Sequence, residues 1–148
     1  MLTGKKILLI ITGGIAAYKS LELVRRLKGK GVKVTPVMTK AAENFVTPMS
    51  VSALAQEKVY KELFDLTDEA EMGHIELSRS ADLIVVVPAS ADFIAKTSTG
   101  QANDLASTLI LATDTKVLMA PAMNVRMWEN PLVQKNIKTL DKNGIKFV

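Results

Sequence analysis

Two adjacent glycines lie where a predicted strand passes into a predicted helix. Gly13 and Gly14 follow the apolar strand Lys6–Ile11 and precede a helix predicted over residues 16–28. Glycine lets the backbone approach a ligand closely, and the free N–H groups of a first helical turn favour an anion. Tight turns that bind nothing have the same pattern, so the glycine pair alone leaves both interpretations open.

The residues after the second predicted strand favour a mononucleotide over NAD. The glycine loop lacks the full G-x-G-x-x-G pattern. The strand over residues 32–38 is followed by Thr39 and Lys40, where a dinucleotide site needs an Asp or Glu for the adenosine ribose. The hydroxyl of Thr39 is suited instead to a phosphate, and Thr39 is also placed to cap a short helix.

Small residues follow the third predicted strand, which covers residues 82–87. Ser90, Ala91 and Asp92 come shortly after this strand and leave room for a flat ring. Ligands in open α/β sheets bind at the carboxyl ends of strands, near the switch in strand order. Considered alone, Ser90 is better explained as the N-cap of a helix that runs through Lys96.

The strand predicted over residues 116–120 is followed by a segment rich in methionine, with one tryptophan. Met127 and Trp128 form a cluster that is typical of core packing. The side chain of Asn124 would be costly to bury without partners. Because its carboxamide both donates and accepts, it could orient a carboxylate or an amide.

His74 is the only histidine of the chain, and the sequence predicts that it lies at the start of a helix. There the positive end of the helix dipole favours neutral imidazole, which can accept a proton. A lone histidine is more often structural or exposed, and this alternative stays open.

Helix and strand signals alternate along the chain, which predicts one domain with a parallel sheet covered on both faces. Three further helices are predicted: one after the Thr47-Pro48 pair, one over residues 104–112, and one that begins at Asn130-Pro131. Residues 56–72 receive no assignment. Residues 145–148 read as a final strand, and we expect the natural protein to continue beyond it.

Composition excludes several classes of protein. The chain of 148 residues has no cysteine, which rules out disulfides and zinc–thiolate sites, and no metal site is expected. Its net charge of +4 is scattered rather than gathered in a basic stripe, so no nucleic-acid partner is expected. Its apolar runs are far shorter than the roughly 20 residues that span a bilayer. We therefore expect a cytosolic protein without a membrane partner.

Together, four segments resemble the homo-oligomeric flavin-containing cysteine decarboxylases in order and spacing. The resemblance is closest to the phosphopantothenoylcysteine decarboxylase family, as found in the flavoprotein half of a bacterial coenzyme A biosynthesis enzyme that is fused to a synthetase. The segments are residues 13–19, residues 73–77, residues 88–96 together with 100–107, and residues 121–128.

The resemblance implies a Rossmann-like, flavodoxin-related α/β/α fold of three layers, assembled as a homotrimer or dodecamer with FMN between subunits. It implies FMN-dependent decarboxylation of 4′-phospho-N-pantothenoylcysteine to 4′-phosphopantetheine, through oxidation of the cysteine moiety. By matching position, the phosphate region of FMN is held by Gly13, Gly14, Ile15 and Thr39. The flavin ring is lined by Ser90, Ala91, Asp92 and Ala122. His74 is the catalytic base, Asn124 binds the substrate carboxylate, and Met127 supports the site.

Three features depart from the family, one of which is the unusually polar segment Thr97-Ser98-Thr99. Gly14 stands where many relatives carry serine. Relatives also carry a cysteine in a substrate clamp after the last strand, so we expect this domain to be truncated before the clamp, which puts full turnover in question. The remaining alternatives are a peptidyl-cysteine decarboxylase, a flavin prenyltransferase and a non-catalytic FMN-binding regulatory subunit.

Overall fold

The computed structural model describes residues 1–63 and 70–148, except for the side chains of residues 70–72, 74 and 75. Within these residues, five parallel strands form one sheet in the order β2-β1-β3-β4-β5. The strands are β1 (Lys6–Ile11), β2 (Lys33–Met38), β3 (Leu83–Ala89), β4 (Val117–Pro121) and β5 (Lys146–Phe147).

Seven α-helices are described between and after these strands. They are α1 (Tyr18–Gly29), α2 (Pro48–Ala55), α3 (Ala70–Arg79), α4 (Ala91–Ser98), α5 (Leu105–Ala112), α6 (Val125–Glu129) and α7 (Pro131–Lys142). Two short 3₁₀ segments, Ile15–Ala17 and Ala41–Asn44, follow β1 and β2. None of the described helices is long and apolar enough to cross a membrane.

The side chains of β1 supply both faces of the core. Leu8 and Ile10 belong to one buried cluster, whereas Leu9 and Ile11 belong to the other. Successive side chains of a strand point to opposite faces, so a continuous apolar run is what a strand covered on both sides requires. The buried run at β1 therefore explains why this strand lies inside the sheet.

Helices cover both faces of this sheet. Residues of α1 and α2 belong to the cluster that contains Leu9, and residues of α4, α5 and α7 belong to the cluster that contains Leu8. The predicted three-layer α/β/α fold is confirmed, and the strand order is that of the flavodoxin-like folds.

Local capping signals placed three helices correctly. The side chains of Thr47, Ser90 and Asp104 accept hydrogen bonds from the backbone N–H groups three residues further on, at 3.0, 3.1 and 2.8 Å. Each is the N-cap of the helix predicted from it. The helix predicted from Ala16 differs, because a 3₁₀ turn precedes α1. Helix α6 had not been predicted.

Part of the unassigned segment 56–72 closes the outer edge of the sheet. The N–H of Tyr60 donates to the Pro36 carbonyl at 3.0 Å, and the N–H of Met38 donates to the Tyr60 carbonyl at 2.9 Å. Proline has no N–H, so its position in this edge strand leaves no ladder donor unpaired. Residues 64–69 lie outside the described residues.

Candidate functional site

The strand order changes direction between β1 and β3, where β2 lies on one side of β1 and β3 on the other. The carboxyl ends of these strands form the crevice in which open α/β sheets bind ligands. A cavity of about 580 Å³ lies at this edge. Six of the predicted site residues line it: Gly13, Thr39, Ser90, Ala91, Asp92 and Met127.

Thr12 joins the ends of the two central strands, and sequence reasoning missed it. Its side chain is buried, and its hydroxyl donates to the Pro88 carbonyl while accepting from the N–H of Ser90 at 2.9 Å. The β3–β4 register is irregular between Val86 and Ala89, and Thr12 supplies the partner for the Pro88 carbonyl there. The contact fixes the glycine loop relative to the segment after β3.

Gly13 and Gly14 differ in what they require. A Cβ added to Gly13 would lie 2.5 Å from the Cβ of Ala41, so only glycine allows the loop to pack against the 3₁₀ turn after β2. A Cβ on Gly14 would meet nothing within 4 Å, and the backbone there is extended with φ of 178°. A side chain at this position is therefore compatible with the fold.

The loop after β1 presents backbone donors. Among the described residues, no hydrogen bond uses the N–H groups of Gly14, Ile15 or Ala16. The side chain of Ile15 is 83% exposed. These N–H groups stand at the start of the 3₁₀ turn that leads into α1, where an anion is favoured.

Thr39 holds the turn after β2 with a hydroxyl that is only partly engaged. Its Oγ1 accepts from the N–H of Ala42 at 3.3 Å, although Lys40 is the N-cap of the 3₁₀ turn. The distance from Oγ1 to the Ile11 carbonyl is 3.5 Å, which is long for a hydrogen bond. The hydroxyl proton can therefore be donated to a ligand.

The segment after β3 combines a helix cap with an open wall. Ser90 caps α4, as predicted, and the half-buried Ala91 follows it. The side chain of Asp92 is exposed at the cavity. Ala122 does not line the cavity, but its N–H donates to the Ala89 carbonyl at 3.2 Å, which fixes the end of β4 beside the end of β3.

Core packing, the alternative that the methionine and tryptophan residues alone suggested, is not what the structure shows. Met127 and Trp128 are 43% and 41% exposed, and no residue of α6 is buried. Asn124 is also exposed and lies outside the cavity lining. Its Oδ1 accepts from the N–H of Met127 at 2.9 Å, which makes Asn124 the N-cap of α6. Met127 alone of this group reaches the cavity.

His74 is the fifth residue of the described helix α3, not a residue of its first turn. The effect of a helix dipole falls off within one turn. The argument from the helix start therefore does not apply to this histidine. Its side chain lies outside the described part of the chain.

The sheet order and the glycine loop at its switch point place this protein in the class of flavodoxin-like α/β proteins. The family model described as "Flavoprotein" matches residues 1–148, and the chain belongs to this family.

Curated and solved relatives agree with that assignment. The chain is 52% identical over 146 residues to the Coenzyme A biosynthesis bifunctional protein CoaBC of Vibrio vulnificus, covering 99% of this chain and 36% of the relative. It thus spans about a third of that relative's length. The solved FMN-dependent cysteine decarboxylase SpaF is 30% identical with a TM-score of 0.93, covering 100% of this chain and 85% of SpaF. A PPC decarboxylase variant in complex with pantothenoylaminoethenethiol is 30% identical with a TM-score of 0.82, covering 97% and 81%.

Proposed function

We propose that this chain binds FMN in the cavity at the carboxyl ends of β1 and β3 and decarboxylates 4′-phospho-N-pantothenoylcysteine to 4′-phosphopantetheine. The observation that carries the proposal is the convergence of the loop at Gly13, the hydroxyl of Thr39 and the Ser90–Ala91–Asp92 segment on one cavity. The relatedness to a coenzyme A biosynthesis protein and to an FMN-dependent cysteine decarboxylase supports it.

The residues present fit FMN. The N–H groups of Gly14 and Ile15 and the hydroxyl of Thr39 are donors suited to its phosphate. Ser90 and Ala91 offer small side chains for the ring, with Ala122 beside them. FMN supplies the two-electron redox step that side chains cannot.

The substrate carboxylate is assigned to Asn124. Its Oδ1 is already used to cap α6, which leaves the Nδ2 amide as the group that donates to the substrate. The amide is exposed to solvent and therefore accessible. Met127 packs at the cavity wall next to it. His74 is assigned as the base that accepts a proton from the substrate, on the strength of the family motif at residues 73–77.

A second copy of the chain completes the site in this proposal, as a homotrimer or as a dodecamer built from trimers. Apolar side chains are exposed on the loop after β1 and on α1, α6 and α7, and exposed apolar patches mark interfaces when they are large enough. They are Ile15, Tyr18, Val125, Trp128 and Leu132. We further propose that the domain acts in the cytoplasm beside a fused synthetase domain, since the curated relative is bifunctional and longer than this chain.

Peptidyl-cysteine decarboxylation is the second candidate function. The similarity in fold to SpaF, a cysteine decarboxylase, favours it over the flavin prenyltransferase and regulatory alternatives. Competition between a peptide with a C-terminal cysteine and phosphopantothenoylcysteine, followed by mass spectrometry, separates the two substrates. We expect loss of carbon dioxide from phosphopantothenoylcysteine alone, and preferential turnover of the peptide contradicts that assignment.

The base is tested with His74→Asn, and Glu76→Gln on the same helix is the matched control because Glu76 is exposed. We expect His74→Asn to stop carbon dioxide loss while flavin absorbance stays with the protein. The control variant should retain both properties. Unchanged turnover in His74→Asn ends the assignment, and a colourless wild-type protein ends the FMN proposal.

A further inference from the structure

An ammonium group lies between two carboxylates at the wall of the cavity. The Nζ of Lys96 is 3.7 Å from Oδ2 of Asp92 and 4.0 Å from Oδ2 of Asp104. The Lys96 side chain is only 24% exposed, and all three residues line the cavity. Neither Lys96 nor Asp104 was among the predicted site residues.

The carboxylate of Asp104 is held in place by its role as a helix cap. Its Oδ1 accepts from the N–H of Ser107 at 2.8 Å and from the Ser107 hydroxyl at 2.5 Å. The N–H of Asp104 donates in return to the Ser107 hydroxyl at 3.3 Å. Oδ2 is thereby turned to Lys96, and the ion pair joins α4 to the start of α5.

The second carboxylate has no such support. Asp92 stands in the first turn of α4, one turn before Lys96, and its side chain is 78% exposed. Asp92 lies next to Ala91 in the segment assigned to the flavin ring, and both residues line the cavity. Lys96 thus pairs with a carboxylate of the segment that the proposal assigns to the ring.

The cavity lining is electrically balanced only with Lys96 in place. It carries the carboxylates of Asp92 and Asp104 and the ammonium groups of Lys40 and Lys96, for a formal charge of zero. Lys40 lies after β2, beside Thr39 at the phosphate end. Removing Lys96 leaves one net negative charge on the wall, and FMN itself is an anion.

We propose that Lys96 is a positioning residue for the flavin: it offsets the carboxylates of Asp92 and Asp104, so that the anionic cofactor and its reduced form are tolerated at this wall. The inference rests on the proposed FMN site. Extra negative charge beside the flavin weakens FMN binding, and it lowers the midpoint potential because reduction places negative charge on the ring. Partial exposure of the pairs keeps the expected loss of affinity at roughly three- to tenfold.

The test compares Lys96→Met with Lys96→Arg, by FMN fluorescence titration, by the midpoint potential of the bound flavin and by thermal unfolding of the FMN-free protein. We expect Lys96→Met to bind FMN more weakly and to have a more negative potential, at similar FMN-free stability. Lys96→Arg keeps the positive charge and should have the FMN affinity and midpoint potential of the wild type. The inference is overturned if Lys96→Met has the affinity and potential of the wild type, or if Lys96→Arg loses them as Lys96→Met does.

A double variant isolates the charge from the fold. Asp104→Asn keeps the capping oxygen and removes the negative charge, so Lys96→Met with Asp104→Asn returns the cavity to a formal charge of zero. We expect this pair to recover affinity and potential toward wild type. An absence of recovery contradicts the charge argument. If the wild-type protein binds no FMN, the proposed function itself is contradicted, and this result is distinct from a failure of the Lys96 inference.

Discussion

Replacing Thr12 with valine tests the junction between β1 and β3. Valine keeps nearly the same volume but has no hydroxyl, so it removes both hydrogen bonds of a side chain that is 1% exposed. The Pro88 carbonyl is buried and loses its partner, while the half-buried N–H of Ser90 is closer to water. A buried polar group left unsatisfied costs about 1–3 kcal/mol, and a half-buried one falls at the low end of that range.

The expected loss of stability is therefore about 2–4 kcal/mol, a large part of the roughly 5–15 kcal/mol that stabilises an ordinary domain. Urea unfolding of the FMN-free protein measures it. Weaker FMN binding should accompany the loss, because Thr12 fixes the glycine loop relative to Ser90.

Thr12→Ser is the matched control for this variant. Serine retains the hydroxyl and removes one buried methyl group, which costs about 1 kcal/mol. We expect the serine variant to be more stable than the valine variant by about 1–3 kcal/mol. A valine variant as stable as the serine variant would refute the view that the hydroxyl holds the two strand ends together.

Three further predictions concern the loop, the surface and the substrate. Gly13→Ala should weaken FMN binding about tenfold or more, because its Cβ would lie 2.5 Å from that of Ala41. Gly29→Ala is the control: its Cβ meets nothing within 4 Å, so this variant should bind FMN as the wild type does in the same titration. Trp128→Lys should lower the mass seen by light scattering toward 16.1 kDa, since it puts a charge on an exposed apolar side chain; unchanged mass would place the interface elsewhere. Asn124→Asp keeps the capping oxygen but loses the amide donor. We expect kcat/KM to fall steeply while FMN affinity and Tm stay at their wild-type values. An unchanged kcat/KM would contradict the role of Asn124 in binding the substrate carboxylate.

Much of the fold was predictable because its signals are local. The buried strand at β1 is a continuous apolar run, and the caps at Thr47, Ser90 and Asp104 lie directly before their helices. The α/β alternation then restricts the topology to a parallel sheet covered on both faces. Helix α6 was missed because its five residues bury nothing and give no periodic apolar face.

The site was predictable only where its residues follow strand ends. Gly13, Thr39 and Ser90 could be grouped because parallel strands bring their carboxyl ends to one edge. The role of Thr12 depends on contacts with Pro88 and Ser90, across 76 and 78 positions in sequence, which no local pattern reveals. The pair of Asp92 and Lys96 has helical i, i+4 spacing, but its link to Asp104 exists only in the folded chain.

A crystal structure of the protein grown with FMN tests the central claim most directly. We expect the flavin to lie at the carboxyl ends of β1 and β3, with its phosphate at the backbone of Gly14 and its ring beside Ser90 and Asp92. A second cavity of about 510 Å³ lies near residues 113–116, before β4. Flavin density in that second cavity, with the space beside Ser90 filled by solvent, would contradict the account.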